Sequence, residues 1–268
     1  MANQPDYEFK KADANLSSAN RLKLQAMSEV AITNNWPLVI SGSSHVKTDE
    51  FLRLLQQYFW EIVNRKREYL YPGSVWGYPG GGLKDWRVTQ EIIANAWKLS
   101  KEEGYCGQLN VLVIGTNDAS QIHNTSNLAS FRSKYMDFCL KLLAVPGLAL
   151  MPCSLLPRNF QPDRPNANPN MYPGNSAIRS VCKELRKNPL FANRVKFCNL
   201  GHDIAEVVPV VDPNVPLPGM GLRPCPGVLK PDNVHLKPDG YDTMVRSLLT
   251  QVNLFPSSCF GIKKPPKE

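Results

Sequence analysis

The segment LNVLVIGTND, residues 109–118, joins a strongly apolar run to an abruptly polar turn. Residues 109–114 predict a β-strand, and their apolar character favours a central parallel strand that is buried on both faces of its sheet. The turn Gly-Thr-Asn-Asp at residues 115–118 then follows the carboxyl end of that strand. Ligands bind outside this edge in open α/β sheets, so Asn117 is a candidate functional residue.

The chain on either side of this strand repeats one pattern: a short apolar run, a glycine-containing turn and a longer segment with helical periodicity. The predicted strands cover residues 38–41, 74–77, 109–114, 148–152 and 195–198. The predicted helices cover residues 49–67, 86–97, 128–143 and 238–252. This alternation is typical of βαβ units, and it predicts an α/β fold with a parallel sheet.

Composition divides the chain into three predicted parts. Residues 1–34 predict a polar arm with a short helix, residues 35–256 a single domain, and residues 257–268 a basic tail rich in proline and lysine. Residues 157–174 and 208–231 predict long loops, which either wall a substrate pocket or are ordinary surface insertions. The candidate wall residues in these loops are Phe160, Met171, Tyr172 and Met220.

The overall composition, with 43% apolar and 20% charged residues, is that of a globular protein with a sizeable core. The N-terminus lacks a signal-peptide pattern, so we expect a soluble, intracellular, cytoplasmic protein without a transmembrane segment. The seven cysteines are odd in number and never in C-x-x-C spacing, which argues against a disulfide framework and a metal site. The net charge of +8 either serves solubility or favours an anionic partner such as nucleic acid.

Four polar or glycine-rich turns are expected to leave the same edge of the sheet. They follow the first strand, the second strand, the strand at residues 109–114 and the last long loop, respectively. Because the carboxyl ends of parallel strands meet at one edge, their side chains are expected to converge. The candidate residues in these turns are Ser44, Gly80, Gly81, Asn117, Asp232 and His235.

These residue types fit nucleophilic acyl transfer. An imidazole accepts the proton of a serine hydroxyl efficiently only if a carboxylate fixes its tautomer and stabilises the imidazolium. Ser44 is therefore the candidate nucleophile, His235 the general base and then acid, and Asp232 its orienting carboxylate. The backbone N–H of Ser44, a glycine N–H from Gly80 or Gly81, and the amide of Asn117 would form a three-donor oxyanion hole. Taken singly, such residues serve more often as helix caps and turn formers.

The chain resembles the SGNH or GDSL hydrolase superfamily, whose signature blocks carry Ser, Gly, Asn and His in this order. The matching segments are residues 42–44, 80–81, 115–118 and 232–235, and the resemblance spans residues 37–254. It implies a three-layer α/β/α sandwich with a five-stranded parallel sheet in flavodoxin-like order. It also implies a serine esterase that hydrolyses a short-acyl or acetyl ester, of a small molecule or a lipid, without metal or cofactor.

The first block departs from the family pattern, because it reads Gly-Ser-Ser where Gly-Asp-Ser is usual. Ser43 thus replaces an aspartate, and the nucleophile is open between Ser43 and Ser44, with alignment favouring Ser44. His45 and the run at residues 154–158 resemble the esterase domains of LINE-type retrotransposon first open reading frame proteins and, more distantly, platelet-activating-factor acetylhydrolases. His45, Arg158 and Tyr172 are therefore predicted to line the substrate pocket. The alternative function is an idle SGNH-like module that binds RNA or another anionic ligand.

Overall fold

The computed structural model describes residues 36–64, 70–101, 108–158, 171–201, 204–209 and 220–255. The predicted N-terminal arm, the basic tail and Phe160 lie outside these residues.

A parallel sheet of four strands forms the centre of the molecule. Its strands are β1 (Trp36–Gly42), β2 (Leu70–Gly77), β3 (Gln108–Val113) and β4 (Leu148–Pro152), in the order β2-β1-β3-β4. All three strand pairs are parallel, and every residue of β3 and β4 is buried. This burial explains the apolar character of the two strands, which are covered on both faces. The predicted α/β class and parallel sheet are confirmed.

The fifth strand predicted at residues 195–198 is not a regular strand. Two isolated parallel bridges, Leu150 with Val195 and Cys153 with Cys198, align this segment with β4. The Cys198 N–H donates to Pro152 O at 2.8 Å, as in a parallel ladder. The pairing is too short to make a full strand, so the count of five strands is not confirmed in the described part of the sheet.

Helices cover both faces of the sheet. They are α1 (Asp49–Tyr58), which a π-helical turn continues over Phe59–Asn64, α2 (Trp86–Lys101), α3 (Thr116–Ala119), α4 (Thr125–Leu143), α5 (Met171–Leu185) and α6 (Pro238–Asn253). Val111 and Val113 of β3 pack in the hydrophobic cluster that α1 and α6 contribute to. Leu112, between them, packs in the second cluster, with α2, α4 and α5. Alternate side chains of β3 thus point into the hydrophobic clusters on opposite faces of the sheet. The sheet and the helices on its two faces form the three layers of the fold.

Helix α5 was not predicted, because its first turn contains Pro173 and Gly174 in a segment interpreted as a loop. Proline is tolerated in the first turn of a helix, where its missing N–H would have no partner. Gly174 packs so closely on Leu155 that an added Cβ would lie 2.6 Å from Leu155 Cδ1. The second predicted loop is also partly regular, since β5 (Ala205–Pro209) and β6 (Met220–Pro224) form a two-stranded antiparallel sheet.

Candidate active site

Ser44, His235 and Asp232 lie in one chain of hydrogen bonds. Ser44 Oγ is 2.9 Å from His235 Nε2, and His235 Nδ1 is 2.8 Å from Asp232 Oδ2. A carboxylate only accepts, so Nδ1 carries the ring proton of a neutral His235, and Nε2 accepts from the Ser44 hydroxyl. The structure therefore brings together three residues that the sequence placed in two segments far apart in the chain.

The loop that carries Asp232 and His235 is stabilised by hydrogen bonds between its own residues. Asp232 Oδ1 accepts the N–H groups of Val234 and His235, each at 2.9 Å. The Lys230 N–H donates to His235 O at 2.8 Å, and Asn233 has a φ of 58°. Asparagine tolerates this left-handed conformation better than most residues, so the tight turn is compatible with its sequence.

The Asp232 carboxyl group is ionised across the neutral pH range. Burial acts to raise its pKa, but the N–H groups of His235 and Val234 and the His235 ring bind the charged form. These hydrogen bonds prevail and lower the pKa of Asp232 to about 2. Asp232 is thus a charged partner for the imidazole whenever His235 takes up a proton.

Ser44 is positioned by the close approach of β1 and β3. It begins a 3-10 turn, Ser44–Lys47, which follows the end of β1 after one intervening residue, Ser43. The Ser43 N–H donates to Val113 O at 3.1 Å. A Cβ added to Gly42 would lie 2.7 Å from the same oxygen, so only glycine fits there. The geometry of this turn therefore depends on contacts with the neighbouring strand.

The two glycines that follow β2 have different roles. The Gly81 N–H donates to Tyr78 O at 2.9 Å, and Gly80 has a φ of 70°. With Pro79 before Gly80, these features are typical of a type II turn. The Gly81 N–H is therefore used inside the turn, which leaves Gly80 as the glycine whose N–H could serve the predicted oxyanion hole. Within the described part of the chain, the Gly80 N–H donates no hydrogen bond.

The Asn117 side chain is oriented by contacts at both ends of its amide. Its Nδ2 donates to Gly81 O at 2.9 Å, and its Oδ1 accepts from Arg158 Nη1 at 2.9 Å. An amide nitrogen carries two hydrogens, so one N–H remains for a ligand. Burial lowers the pKa of Arg158 to about 10, and the guanidinium stays charged at neutral pH.

Asp118 links the turn after β3 to the turn after β2, a role that the sequence did not reveal. Its carboxylate accepts the N–H groups of Leu83 and Lys84 at 2.8 and 2.9 Å. Burial raises the pKa of Asp118, although both of these N–H groups act to lower it. A Cβ added to Gly82 would lie 2.2 Å from Asp118 Oδ2. The third glycine of the run at residues 80–82 was the available signal of this close contact.

The predicted pocket-lining residues occupy different places from those expected. His45 is only 1% exposed and Arg158 only 7%, so neither forms an open pocket wall; they support the site from within the protein. Tyr172 is half-buried against the cluster shared by α2, α4 and α5. Met171 is fully buried in the same cluster, and Met220 is half-buried at the start of β6. Met171 is buried because it is the first residue of helix α5 and its side chain points into the core.

Comparison with models of known families and with curated proteins found no match to this sequence. Solved structures do match. An acetyl xylan esterase, AlAXEase, aligns with a TM-score of 0.52 at 14% identity, over 80% of this chain and 99% of that chain. This chain has the SGNH-hydrolase fold. The predicted resemblance to that superfamily is confirmed at the level of fold.

Two further solved structures are similar to this chain. A lipase/acylhydrolase from Enterococcus faecalis has 16% identity over 86% of this chain and all 100% of its own, with a TM-score of 0.49. A Clostridium thermocellum family 3 carbohydrate esterase has 13% identity over 82% of this chain and 99% of its own, also with a TM-score of 0.49. The resemblance to retrotransposon esterase domains stays a prediction.

Neither a metal-binding cluster nor a membrane-spanning helix occurs among the residues that the structure describes. Among them, no group of three or more His, Cys, Asp or Glu side chains is arranged to hold a metal ion. None of the helices that the structure describes is long and apolar enough to cross a membrane. Cys139, Cys153, Cys182 and Cys198 are buried free thiols.

Proposed function

We propose that this protein is a serine esterase that hydrolyses a short-acyl or acetyl ester through a Ser44 acyl-enzyme. The hydrogen-bonded chain from Ser44 Oγ through His235 to Asp232 carries this proposal. A capping role does not explain Ser44, because Ser43 precedes the 3-10 turn and Thr48 caps α1 by accepting from Phe51 N. The Ser44 hydroxyl is instead directed at an imidazole that is poised to accept its proton.

The reaction follows from this geometry. Ser44 Oγ attacks the ester carbonyl carbon and its proton passes to His235 Nε2, while the carbonyl electron pair moves onto oxygen. The tetrahedral intermediate collapses, the bond to the alcohol oxygen breaks, and His235 protonates the departing alcohol. His235 then deprotonates a water molecule that attacks the acyl-Ser44 carbonyl. The acid leaves, and the proton returns to Ser44.

Three N–H groups would bind the oxyanion: those of Ser44 and Gly80 and the second N–H of Asn117 Nδ2. In the described residues, neither the Ser44 nor the Gly80 backbone N–H donates to a protein acceptor. Removing one such donor costs about 3 kcal/mol of transition-state stabilisation. The guanidinium of Arg158, bound to Asn117 Oδ1, polarises the amide in the direction that strengthens its donation.

The decisive experiment measures hydrolysis of p-nitrophenyl acetate and longer acyl esters by wild type and Ser44→Ala. The substitution is expected to lower kcat about 10⁴-fold or more, as removal of a serine nucleophile does. A fluorophosphonate probe is expected to label Ser44, and mass spectrometry of the labelled peptide identifies the site. Ser43→Ala is the matched control, and it should still be labelled, which decides between the two adjacent serines. Equal turnover by wild type and Ser44→Ala contradicts the proposal and leaves the idle binding module as the remaining alternative.

A further inference from the structure

His45 is a buried histidine next to the proposed active site that takes no part in the mechanism above. Its side chain is 1% exposed, and its ring centroid lies 5.4 Å from that of His235. One ring nitrogen, Nδ1, is 3.2 Å from Ser43 Oγ, and the other, Nε2, is 3.0 Å from Val234 O. His45 therefore joins the turn that carries Ser44 to the loop that carries His235.

These two contacts assign the tautomer of His45. A backbone carbonyl only accepts hydrogen bonds, so Nε2 must carry a hydrogen that it donates to Val234 O. In a neutral ring, Nδ1 then has a lone pair and accepts the hydroxyl hydrogen of Ser43. Burial lowers the pKa of His45 to about 4, and the nearby charge of Arg158 acts in the same direction. The ring is therefore neutral at neutral pH.

The hydroxyl group of Ser43 is the donor that the neutral His45 ring needs at Nδ1. It occupies the position before the 3-10 turn where a serine often caps the helix, yet its side chain makes no capping hydrogen bond. Its buried hydroxyl, 2% exposed, is directed at His45 Nδ1 instead. An aspartate at position 43 would present only acceptors to the lone pair of Nδ1. That carboxylate could accept from Nδ1 while Nε2 still donates to Val234 O only if His45 became an imidazolium.

We propose that Ser43 and His45 form a positioning pair that keeps Ser44 Oγ in register with His235. Two adjacent cross-links, Ser44 to His235 and His45 to Val234, join consecutive residues of the same two segments. The second link fixes the separation of the segments, so the hydroxyl of Ser44 stays within reach of Nε2. This inference rests on the proposed function, because what the pair positions is the nucleophile and its base.

The tautomer is tested without any catalytic measurement, so its failure is distinct from failure of the esterase proposal. Long-range ¹H–¹⁵N spectra of the whole protein report which ring nitrogens carry hydrogens. His45 is expected to be neutral with hydrogen on Nε2, unchanged between about pH 5.5 and pH 8. Ser43→Asp is expected to convert His45 into an imidazolium at neutral pH. A wild-type His45 that is an imidazolium, or that carries its hydrogen on Nδ1, overturns the pairing.

Kinetics then test the positioning role. His45→Leu removes both contacts and is expected to lower kcat about 100-fold, the loss expected from a misplacement of about 1 Å. His45→Gln keeps a donor for Val234 O and should retain more activity than His45→Leu. Ser43→Ala should lower kcat about 5- to 10-fold with KM unchanged, which corresponds to one net hydrogen bond.

His123→Gln is the matched control, because His123 is an exposed histidine elsewhere in the fold, and its kcat should equal that of wild type. Ser43→Ala removes only one oxygen atom and therefore keeps the test valid if the His45 variants do not fold. Wild-type kcat in folded Ser43→Ala, or losses confined to KM, overturns the positioning role.

Discussion

Arg158 Nη1 donates to Asn117 Oδ1 at 2.9 Å, and this contact, together with the one from Nδ2 to Gly81 O, sets which end of the Asn117 amide faces the proposed oxyanion. Without it, only the carbonyl of Gly81 orients the amide, and rotation that presents the amide oxygen, which repels an oxyanion, costs less. Arg158 is almost fully buried, so its charge acts on the amide with little screening by water. The arginine is therefore a second support of the site, which acts on Asn117 and not on the separation of the segments that carry Ser44 and His235.

Arg158→Met is expected to lower kcat for p-nitrophenyl acetate about 10- to 100-fold, because Asn117 loses one of the two partners that orient its amide. KM should change little, since the lost interaction is strongest with the oxyanion and weak in the ground state. Arg87→Met, which changes an exposed arginine, provides the comparison. A loss in Arg158→Met no larger than that in Arg87→Met contradicts the role of Arg158.

Asp232→Asn is expected to lower kcat about 10⁴-fold while leaving the fold intact. The asparagine amide can donate to Nδ1, which favours the tautomer in which Nε2 carries the hydrogen and cannot accept from Ser44. The comparison variant is Asp239→Asn, which changes an acidic residue in the first turn of α6. Steady-state kinetics with both variants measure the effect, and a loss below about tenfold argues against Asp232 as the orienting carboxylate.

The elements that were predicted correctly from the sequence are specified by residues within the elements themselves. The apolar runs of β3 and β4 and the D-x-x-H loop each specify their structure within a few residues. By contrast, the burial of His45 and the pairing of Arg158 with Asn117 depend on contacts between distant segments. Those contacts leave no local pattern, because a histidine or arginine near a site is equally compatible with an open pocket. Arg158 and Asn117 are 41 residues apart in the sequence, so their hydrogen bond can be identified only from the folded structure.

Gly82→Ala is expected to lower the free energy of unfolding by about 1–3 kcal/mol. The added Cβ would lie 2.2 Å from Asp118 Oδ2, so the carboxylate must move away from the backbone N–H groups of Leu83 and Lys84. Urea unfolding followed by circular dichroism measures the change. The matched control is Gly201→Ala, because a Cβ there meets its nearest atom, Ser154 Oγ, at 3.7 Å. Equal stabilities of the two variants would contradict the tight contact.

The buried neutral state of His45 makes folding stability depend on pH. Its pKa is lowered by burial from 6.5 to about 4 in the folded protein, so the unfolded chain binds this proton more readily. The folding stability that depends on the neutral ring is therefore fully present above about pH 6.5, and it is lost as the pH falls towards 4. The shift corresponds to about 3 kcal/mol, since each pKa unit represents about 1.4 kcal/mol.

His45→Gln removes this titration and leaves all other groups in place. We therefore expect the unfolding free energy of wild type minus that of His45→Gln to decrease by about 3 kcal/mol when the pH is lowered from 7 to 4. Urea unfolding curves at several pH values measure this difference, in which contributions shared by both proteins cancel. The same comparison with His123→Gln should show no such trend, because His123 is exposed. A difference for His45→Gln that is constant with pH would mean that His45 is not held neutral by its burial.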